Sequence, residues 1–182
     1  MRRVLGAVAV LGMFALSGCG GGTPLPTLPP TPSSTPVFAS EEEALAAAED
    51  AYAAYLAMSN LISSEGGLGP ERIEPFAVRD FLDSALQGFE TLRENQWRTT
   101  GQSVLKNATL QYADLEVAAG EDVVAAYACV DYTGLDVLDA EGTSVVSPDR
   151  PNFQAFEVFF DLIDGQLVGS SFEPWTSDVC GT

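Results

Sequence analysis

Residues 153–175 read FQAFEVFFDLIDGQLVGSSFEPW, and this stretch decides the fold class of the chain. Its two apolar runs are rich in Phe, Val and Leu and are separated only by the pair Asp164-Gly165. An Asp-Gly pair in this setting favours a two-residue type I′ turn, in which both turn residues adopt positive φ angles. The stretch therefore predicts an antiparallel hairpin with Leu162 opposite Leu167.

The hairpin ends a longer series of strand signals that begins near Trp97. Apolar and β-branched residues recur there with a period close to two, and glycines interrupt the runs at turns. The predicted strands cover residues 102–117, 122–132, 133–138, 153–163 and 166–175.

Two helices are predicted before the strands. Ser40 and Glu43 form a capping box in front of an alanine-rich apolar stripe, which predicts a helix over 41–62. Residues 74–95 repeat apolar side chains at helical spacing and predict a second helix, with Pro75 in its first turn. Two N-terminal helices packed on a curved antiparallel sheet of about four to five strands make an α+β fold.

Residues 1–18 have the pattern of a secretory signal peptide. Arg2 and Arg3 give a positive start, residues 4–16 carry no charge, and two small residues precede Cys19. The apolar run is shorter than the roughly 20 residues that a membrane-spanning helix needs. We therefore expect export and removal of this segment.

The segment Leu16-Ser17-Gly18-Cys19 resembles the lipobox of bacterial lipoproteins. The resemblance implies a diacylglyceryl group on the sulfur of Cys19 and cleavage of the leader before it. The chain would then be lipid-anchored to the cell membrane on its extracytoplasmic side. Under the alternative, the leader is an ordinary signal peptide and the cysteine is incidental.

Residues 19–38 form a linker between this cysteine and a domain that is expected to cover 39–182. The linker is rich in Thr and contains six prolines. Proline fixes φ and removes a backbone donor, so the segment favours extended polyproline II and is typical of a semi-rigid spacer.

The composition excludes several functional classes. The chain has 26 acidic and eight basic residues, and loss of Arg2 and Arg3 with the leader would leave six basic residues and a net charge of −20. A surface this acidic repels phosphate backbones, so nucleic acid is not an expected partner. The sequence contains no histidine, which removes His general bases and His-containing zinc sites. No cofactor and no metal are expected.

Cys129 and Cys180 remain once the lipid has modified Cys19. A pair of cysteines in an exported chain favours a disulfide. Closing a loop of about 50 residues would stabilise the fold by roughly 4 kcal/mol in the chain-entropy description. A reactive thiol is the alternative, but neither cysteine has a histidine or a basic neighbour in the sequence to lower its pKa.

An acidic cluster lies between the predicted strands, at Asp131, Asp136, Asp139 and Glu141. A calcium loop needs ligands at alternate positions, a glycine at the sixth position and a glutamate at the twelfth, and this spacing does not fit. The cluster is therefore predicted to consist of turn and strand-edge residues.

The element order and the segment YACVDYTGLDVLDAEGTSVV at 127–146 are similar to the NTF2-like (cystatin-like cone) superfamily, in particular to its small lipoproteins from high-GC Gram-positive bacteria. The resemblance implies a roll with a conical cavity between helices and sheet. Some relatives are isomerases, cyclases or dehydratases, in which a carboxylate in an apolar cavity would act as general base. The residues expected in the lining are Tyr52, Tyr55, Phe81, Trp97, Tyr127 and Phe160. Under the alternative, these aromatic side chains are plain core.

These observations predict a non-enzymatic binding or scaffolding domain held at the cell envelope, and no catalytic residue is assigned. An unidentified envelope protein is the expected partner, and a homodimer through the sheet face is a further expectation. The alternatives are a cone that binds or converts a small molecule, and a subunit of an envelope export or conjugation apparatus.

Overall fold

The computed structural model describes residues 37–176 and 178–181. The expected leader, the lipidation residue Cys19 and the linker up to residue 36 lie outside the described residues. The elements are α1 (Glu41–Ser64), a 3-10 turn (Pro70–Ile73), α2 (Arg79–Asn95), β1 (Arg98–Thr100), β2 (Val104–Ala113), β3 (Gly120–Asp131), β4 (Asp136–Leu138), β5 (Phe153–Ile163) and β6 (Gln166–Trp175).

Four of the strands form one antiparallel sheet in the order β2-β3-β5-β6, and β1 pairs with β4 in a separate two-stranded sheet. Register shifts in β2, in β3 and between Phe159 and Phe160 mark bulges, which bend strands and increase their twist. Both helices pack on one face of this curved sheet. The predicted α+β architecture is therefore confirmed.

The hairpin of β5 and β6 has the register that the sequence predicts. Leu162 pairs with Leu167, and Phe160 pairs with Gly169. Asp164 and Gly165 both have positive φ, 51° and 78°, as a type I′ turn requires. The turn residues therefore predict the alignment of this hairpin correctly.

Helix α1 begins where its capping residues predict. The side chain of Ser40 accepts a hydrogen bond from the backbone N–H of Glu43 at 3.2 Å, and the carboxylate of Glu43 accepts one from the backbone N–H of Ala39 at 2.7 Å. Both bonds satisfy backbone donors at the entrance to the helix.

Helix α2 begins at Arg79 rather than at residue 74, so the predicted start was wrong by about one turn. The backbone N–H of Val78 donates to the carbonyl of Gly169 at 2.8 Å, and the N–H of Gly169 donates to the carbonyl of Phe76 at 3.2 Å. These bonds hold residues 76–78 against the edge strand β6. Because the backbone of residues 76–78 is hydrogen-bonded to the sheet, these residues are not part of the helix.

The core lies between the inner face of the sheet and the two helices. Ala44 and Ala48 of α1 are almost fully buried, because small side chains let the helix approach the strands closely. The larger buried side chains of this core are Phe38, Tyr52, Leu56, Phe81, Val123, Val124, Val130, Phe156, Val158, Phe160 and Leu162. A second, smaller cluster of Ile62, Ile73, Ala85 and Phe89 joins the far ends of the helices.

Candidate functional site

A cavity of about 210 Å³ lies between α1, α2 and the inner face of the sheet, and β1 and the segment after β3 also contribute to it. We call it the tyrosine cavity. It is lined by Tyr52, Tyr55, Leu56, Ser59, Asn60, Ser63, Phe81, Thr99, Ser103, Tyr132, Leu135, Phe156 and Phe172.

One wall of the tyrosine cavity is a chain of aromatic rings. The ring centroid of Tyr55 lies 6.0 Å from that of Tyr52 and 4.4 Å from that of Phe81. Phe172 meets Phe81 at 5.0 Å and Phe156 at 5.6 Å, both edge to face. Such contacts add to the free energy gained by burial alone and fix the orientation of the rings. The wall is therefore rigid and mostly apolar.

The opposite end of the cavity is polar. The side chain of Asn60 donates a hydrogen bond to the carbonyl of Ser103 at 2.8 Å, and its Oδ1 accepts from the N–H and the hydroxyl of Ser103 at 3.1 and 2.9 Å. Thr99, in contrast, is only 7% exposed, and its hydroxyl has no hydrogen-bond partner among the described residues. A buried hydroxyl without a partner costs about 1–3 kcal/mol. Thr99 therefore offers an unsatisfied polar group to whatever occupies the cavity.

The three tyrosines of the cavity remain neutral at physiological pH. Burial raises the pKa of Tyr52 well above its ordinary value and raises the pKa of both Tyr55 and Tyr132 to about 12. The lining residues include no carboxylate, lysine or arginine. The cavity can therefore offer hydroxyl groups and aromatic faces to a ligand, but no carboxylate general base from its described wall.

Three of the expected lining residues, Tyr52, Tyr55 and Phe81, do lie in this wall. Trp97, Tyr127 and Phe160 do not, and their placement in the lining is corrected. Trp97 follows α2 and lines a different groove near the ends of both helices.

The other two residues that are not in the lining, Phe160 and Tyr127, lie in strands, where the position in the strand decides which face of the sheet a side chain occupies. Phe160 lies on the inner face but is only 1% exposed, within the continuous core. Tyr127 lies on the outer face of β3, where its ring stacks on Trp175 with centroids 4.5 Å apart. Alternate residues of a strand point to opposite faces, so Tyr127 cannot share a cavity with its neighbours Ala126 and Ala128 of the core.

The outer face of the sheet carries the disulfide. Cys129 and Cys180 are bonded, with their Cα atoms 5.2 Å apart. The C-terminal tail also lies across β2, because Lys106 and Asn107 donate hydrogen bonds to the carbonyls of Cys180 and Val179 at 2.7 and 3.0 Å. The bond and these contacts hold the tail across the sheet.

The acidic cluster consists, as the sequence predicts, of turn residues and of residues at strand ends, since Asp131 ends β3 and Asp136 begins β4. Asp131 accepts a hydrogen bond from the N–H of Thr133, and Asp139 accepts from the N–H groups of Glu141 and Thr143. Within residues 37–176 and 178–181, no group of three or more metal-ligating side chains is assembled.

Among the residues that the structure describes, no helix combines the length and the apolar character needed to cross a bilayer.

Comparison with known proteins identifies a structural likeness but no family. No family model matches the chain, and no curated protein matches it. The crystal structure of the intermembrane space region of the chloroplast protein ARC6 is similar, with a TM-score of 0.52 and 8% identity over 73% of this chain and 97% of that one. A de novo designed β-sheet protein also matches, with a TM-score of 0.33 and 11% identity over 76% of this chain and 93% of that one. At such low identity the ARC6 likeness shows a shared fold alone.

Proposed function

We propose that this chain is an exported lipoprotein whose folded domain is held at the outer side of the cell membrane by acyl chains on Cys19. In this proposal the domain acts as a non-enzymatic binding or scaffolding module for another component of the cell envelope. A proline-rich linker separates the lipid from the domain.

The disulfide is the main observation that supports an extracytoplasmic location for the domain. Cysteines are kept reduced in most cytosolic proteins, whereas exported proteins retain disulfides. The domain uses both of its cysteines, Cys129 and Cys180, in one bond. Cys19, directly after the apolar leader, is the one cysteine of the sequence outside this bond. This use of the three cysteines supports one structural disulfide, between Cys129 and Cys180, and one lipidation site at Cys19.

Acyl chains would supply the membrane affinity that the domain itself lacks. Each buried methylene contributes about 0.8 kcal/mol, and two or more chains give stable anchoring where one does not. The acidic composition disfavours direct binding to anionic headgroups. The linker, at about 3.1 Å per residue in polyproline II, would hold the domain on the order of 50 Å from the bilayer.

The chemistry of the tyrosine cavity supports binding rather than catalysis. General acid–base catalysis needs a group whose pKa lies near the working pH. The tyrosines of the cavity have pKa values moved further from neutrality, and its lining has no carboxylate, lysine or arginine.

A partner surface is available on the outer face of the sheet. Val104, Tyr112 and Trp175 are large apolar residues that are between 36% and 47% exposed. Their strand partners, Asp131, Ala125 and Ala155, place all three on this outer face, because directly paired residues share a face of the sheet. We propose that an envelope protein, or a second copy of the chain, covers part of this surface.

The anchor is tested by substitution of the proposed lipid site. Cys19→Ala is expected to leave the membrane fraction or to retain its leader, and mass spectrometry of the wild-type chain should show a diacylated N-terminal cysteine. Cys180→Ala is the matched control, because it removes a cysteine and keeps the anchor, so it should stay with the membrane. An unmodified Cys19 in the mature chain would contradict the proposal.

The partner is tested by crosslinking in the native envelope, followed by purification of the wild-type chain and of a Tyr112→Glu variant. The expected result is one protein adduct, or a dimer of this chain, that the variant loses. If the chain remains monomeric and uncrosslinked, the binding role is wrong even though the anchor stands.

A second candidate function is the binding of a small uncharged molecule in the tyrosine cavity. The unsatisfied hydroxyl of Thr99 favours it, because a ligand acceptor or donor would complete that group. Native mass spectrometry of the protein purified from its own envelope should then show an added mass that is lost on denaturation. Absence of any such mass, at a detection limit well below one molecule per chain, would remove this candidate.

A further inference from the structure

The two helices end beside an open groove of about 470 Å³, which is separate from the tyrosine cavity. Its wall is formed by Leu68, Arg93, Gln96, Trp97 and Arg98, and by Ser64, Glu65 and Gly66 at the end of α1. The carboxylate of Glu65 is paired with Arg72. We call it the arginine groove. Its volume falls within the range of about 300–1,000 Å³ that is usual for ligand pockets.

The floor of the groove depends on glycine backbone. Gly66 and Gly67 have φ angles of 69° and 78°, and a Cβ on Gly67 would lie 2.2 Å from the carbonyl oxygen of Phe89. A Cβ on Gly66 would lie 3.2 Å from the carbonyl oxygen of Trp97. The chain after α1 therefore packs closely against α2 and the residues that follow it, and the groove has a fixed floor.

The end of α2 directs the functional side chains into the groove. Gln96 takes the left-handed conformation, with φ 57° and ψ 33°, and the N–H of Trp97 returns to the carbonyl of Leu92 at 2.8 Å. This helix-terminating turn sends Trp97 and Arg98 back towards the end of α1. The half-buried indole and the exposed Leu68, which is 62% accessible, give the groove an apolar surface.

The basic residues of this groove differ from the other basic residues that the structure describes. Six basic residues lie among the described residues, and four of them are engaged. Arg72 pairs with Glu65, and Arg79 pairs with Glu121, Asp122 and Asp161. Lys106 and Arg150 donate hydrogen bonds to backbone carbonyls.

The remaining two, Arg93 and Arg98, make no side-chain hydrogen bond or ion pair within the described part of the chain. Both line the arginine groove. A cation in the last turn of a helix is commonly explained by the helix dipole, and this accounts for Arg93. It does not account for Arg98, which lies beyond the helix in β1. Both arginines that lack an ion pair within the described residues of this acidic protein therefore line the same groove.

We propose that the arginine groove binds a small organic anion, namely a carboxylate with an aromatic or aliphatic body. The guanidinium groups of Arg93 and Arg98 bind the carboxylate, since Arg presents paired donors that match its two oxygens. The body of the ligand packs on Trp97 and Leu68. This site is independent of the tyrosine cavity and of the anchor, so it stands or falls separately from the proposed function.

The test uses the full chain in zwitterionic nanodiscs, with naphthalene-1-acetate as the probe and naphthalene-1-acetamide as its uncharged counterpart. The expected result is saturable binding of the acid and binding of the amide that is at least about tenfold weaker, because the charge-assisted hydrogen bonds are lost. The chain has two tryptophans. In a ¹⁵N spectrum the indole signal of Trp97 should shift with the acid, and that of Trp175 should not.

Variants separate the groove from the overall charge. Arg93→Gln and Arg98→Gln should each weaken acid binding about tenfold and bring it towards that of the amide. Lys106→Gln is the control, because it removes the same charge on the outer face of the sheet and should leave binding unchanged. Equal affinity for acid and amide, or equal losses in Lys106→Gln and Arg98→Gln, would overturn the proposal. The proposal would also be overturned if Arg93→Gln and Arg98→Gln weakened only the binding of the protein to anionic vesicles and left its binding of the acid unchanged.

Discussion

The ring of Phe81 lies directly over the backbone of Gly169. A Cβ added at Gly169 would come within 2.2 Å of two ring carbons, Cδ1 and Cε1. Gly169 is also the residue of β6 that exchanges backbone hydrogen bonds with residues 76 and 78 ahead of α2. This one position therefore sets how closely α2 approaches the sheet, and with it the placement of an aromatic wall of the tyrosine cavity.

Gly169→Ala is expected to lower the free energy of unfolding by about 1–3 kcal/mol, because Phe81 must move out of its packed position. The shift should also disturb the near-ultraviolet circular dichroism of the aromatic wall. Gly88→Ala is the matched control, since a Cβ there meets nothing within 4 Å in the middle of α2. It should raise stability by about 0.5–1 kcal/mol in urea unfolding. Equal stability of the two variants would contradict the packing described.

Removal of the disulfide should destabilise the domain without changing its fold. The bond closes a loop with a sequence separation of 51 residues, for which the chain-entropy description gives about 4 kcal/mol. We expect the Cys129→Ala/Cys180→Ala variant to lose most of that free energy in urea unfolding, and a reducing agent to have the same effect on the wild type. If the double variant is as stable as the wild type, the bond is absent from the folded protein.

Local chemistry explains which parts of the fold could be predicted from the sequence. The hairpin at Asp164-Gly165 and the start of α1 at Ser40 depend on residues a few positions apart, and both were predicted correctly. The start of α2 was not, because residues 76–78 are held by backbone bonds to β6, more than 90 positions later. Such competition between local propensity and a distant partner leaves no local signal.

The candidate site was predicted only in part for a related reason. Tyr52, Tyr55 and Phe81 belong to helices, whose period identifies the buried face. The polar end of the cavity brings Asn60 together with Thr99 and Ser103, which follow it by more than 35 positions, and β1 is three residues long. A strand that short has no readable period. Polar residues near the end of α1, namely Ser59, Asn60 and Ser63, were the available signs of the polar end.

Stability should fall steeply at alkaline pH. Tyr55 and Tyr132 each have a pKa of about 12 in the folded protein, against about 10 in an unfolded chain. The folded state therefore keeps these protons to higher pH. Their contribution to stability is fully present below pH 10 and is lost as the pH rises through 12, by at most about 3 kcal/mol for each tyrosine.

The alkaline prediction is checked by absorbance at 295 nm together with urea unfolding between pH 9 and 12. Tyr55→Phe/Tyr132→Phe should show a smaller loss of stability over this range, since the variant has no such protons to lose. Ionisation of both tyrosines near pH 10 in the folded protein would mean that the cavity wall is open to water.

Thr99→Val tests whether the hydroxyl of Thr99 at the polar end of the cavity binds a ligand or is only an unsatisfied group in the packed protein. Valine has nearly the shape of threonine and favours β-strands, so the variant removes the hydroxyl without creating a void. Because that hydroxyl has no hydrogen-bond partner in the described part of the chain, its removal should raise the free energy of unfolding of the ligand-free protein by about 1 kcal/mol. Thr99→Ser, which keeps the hydroxyl and loses a methyl group, should instead lower it by about 1 kcal/mol.

A molecule that co-purifies in the cavity through this hydroxyl would reverse the result for Thr99→Val, since the valine variant would then lose both the ligand and the stabilisation that it supplies. If both variants are destabilised in protein shown to be free of ligand, the hydroxyl of Thr99 has a partner within the folded chain, and the cavity has no unsatisfied group to offer.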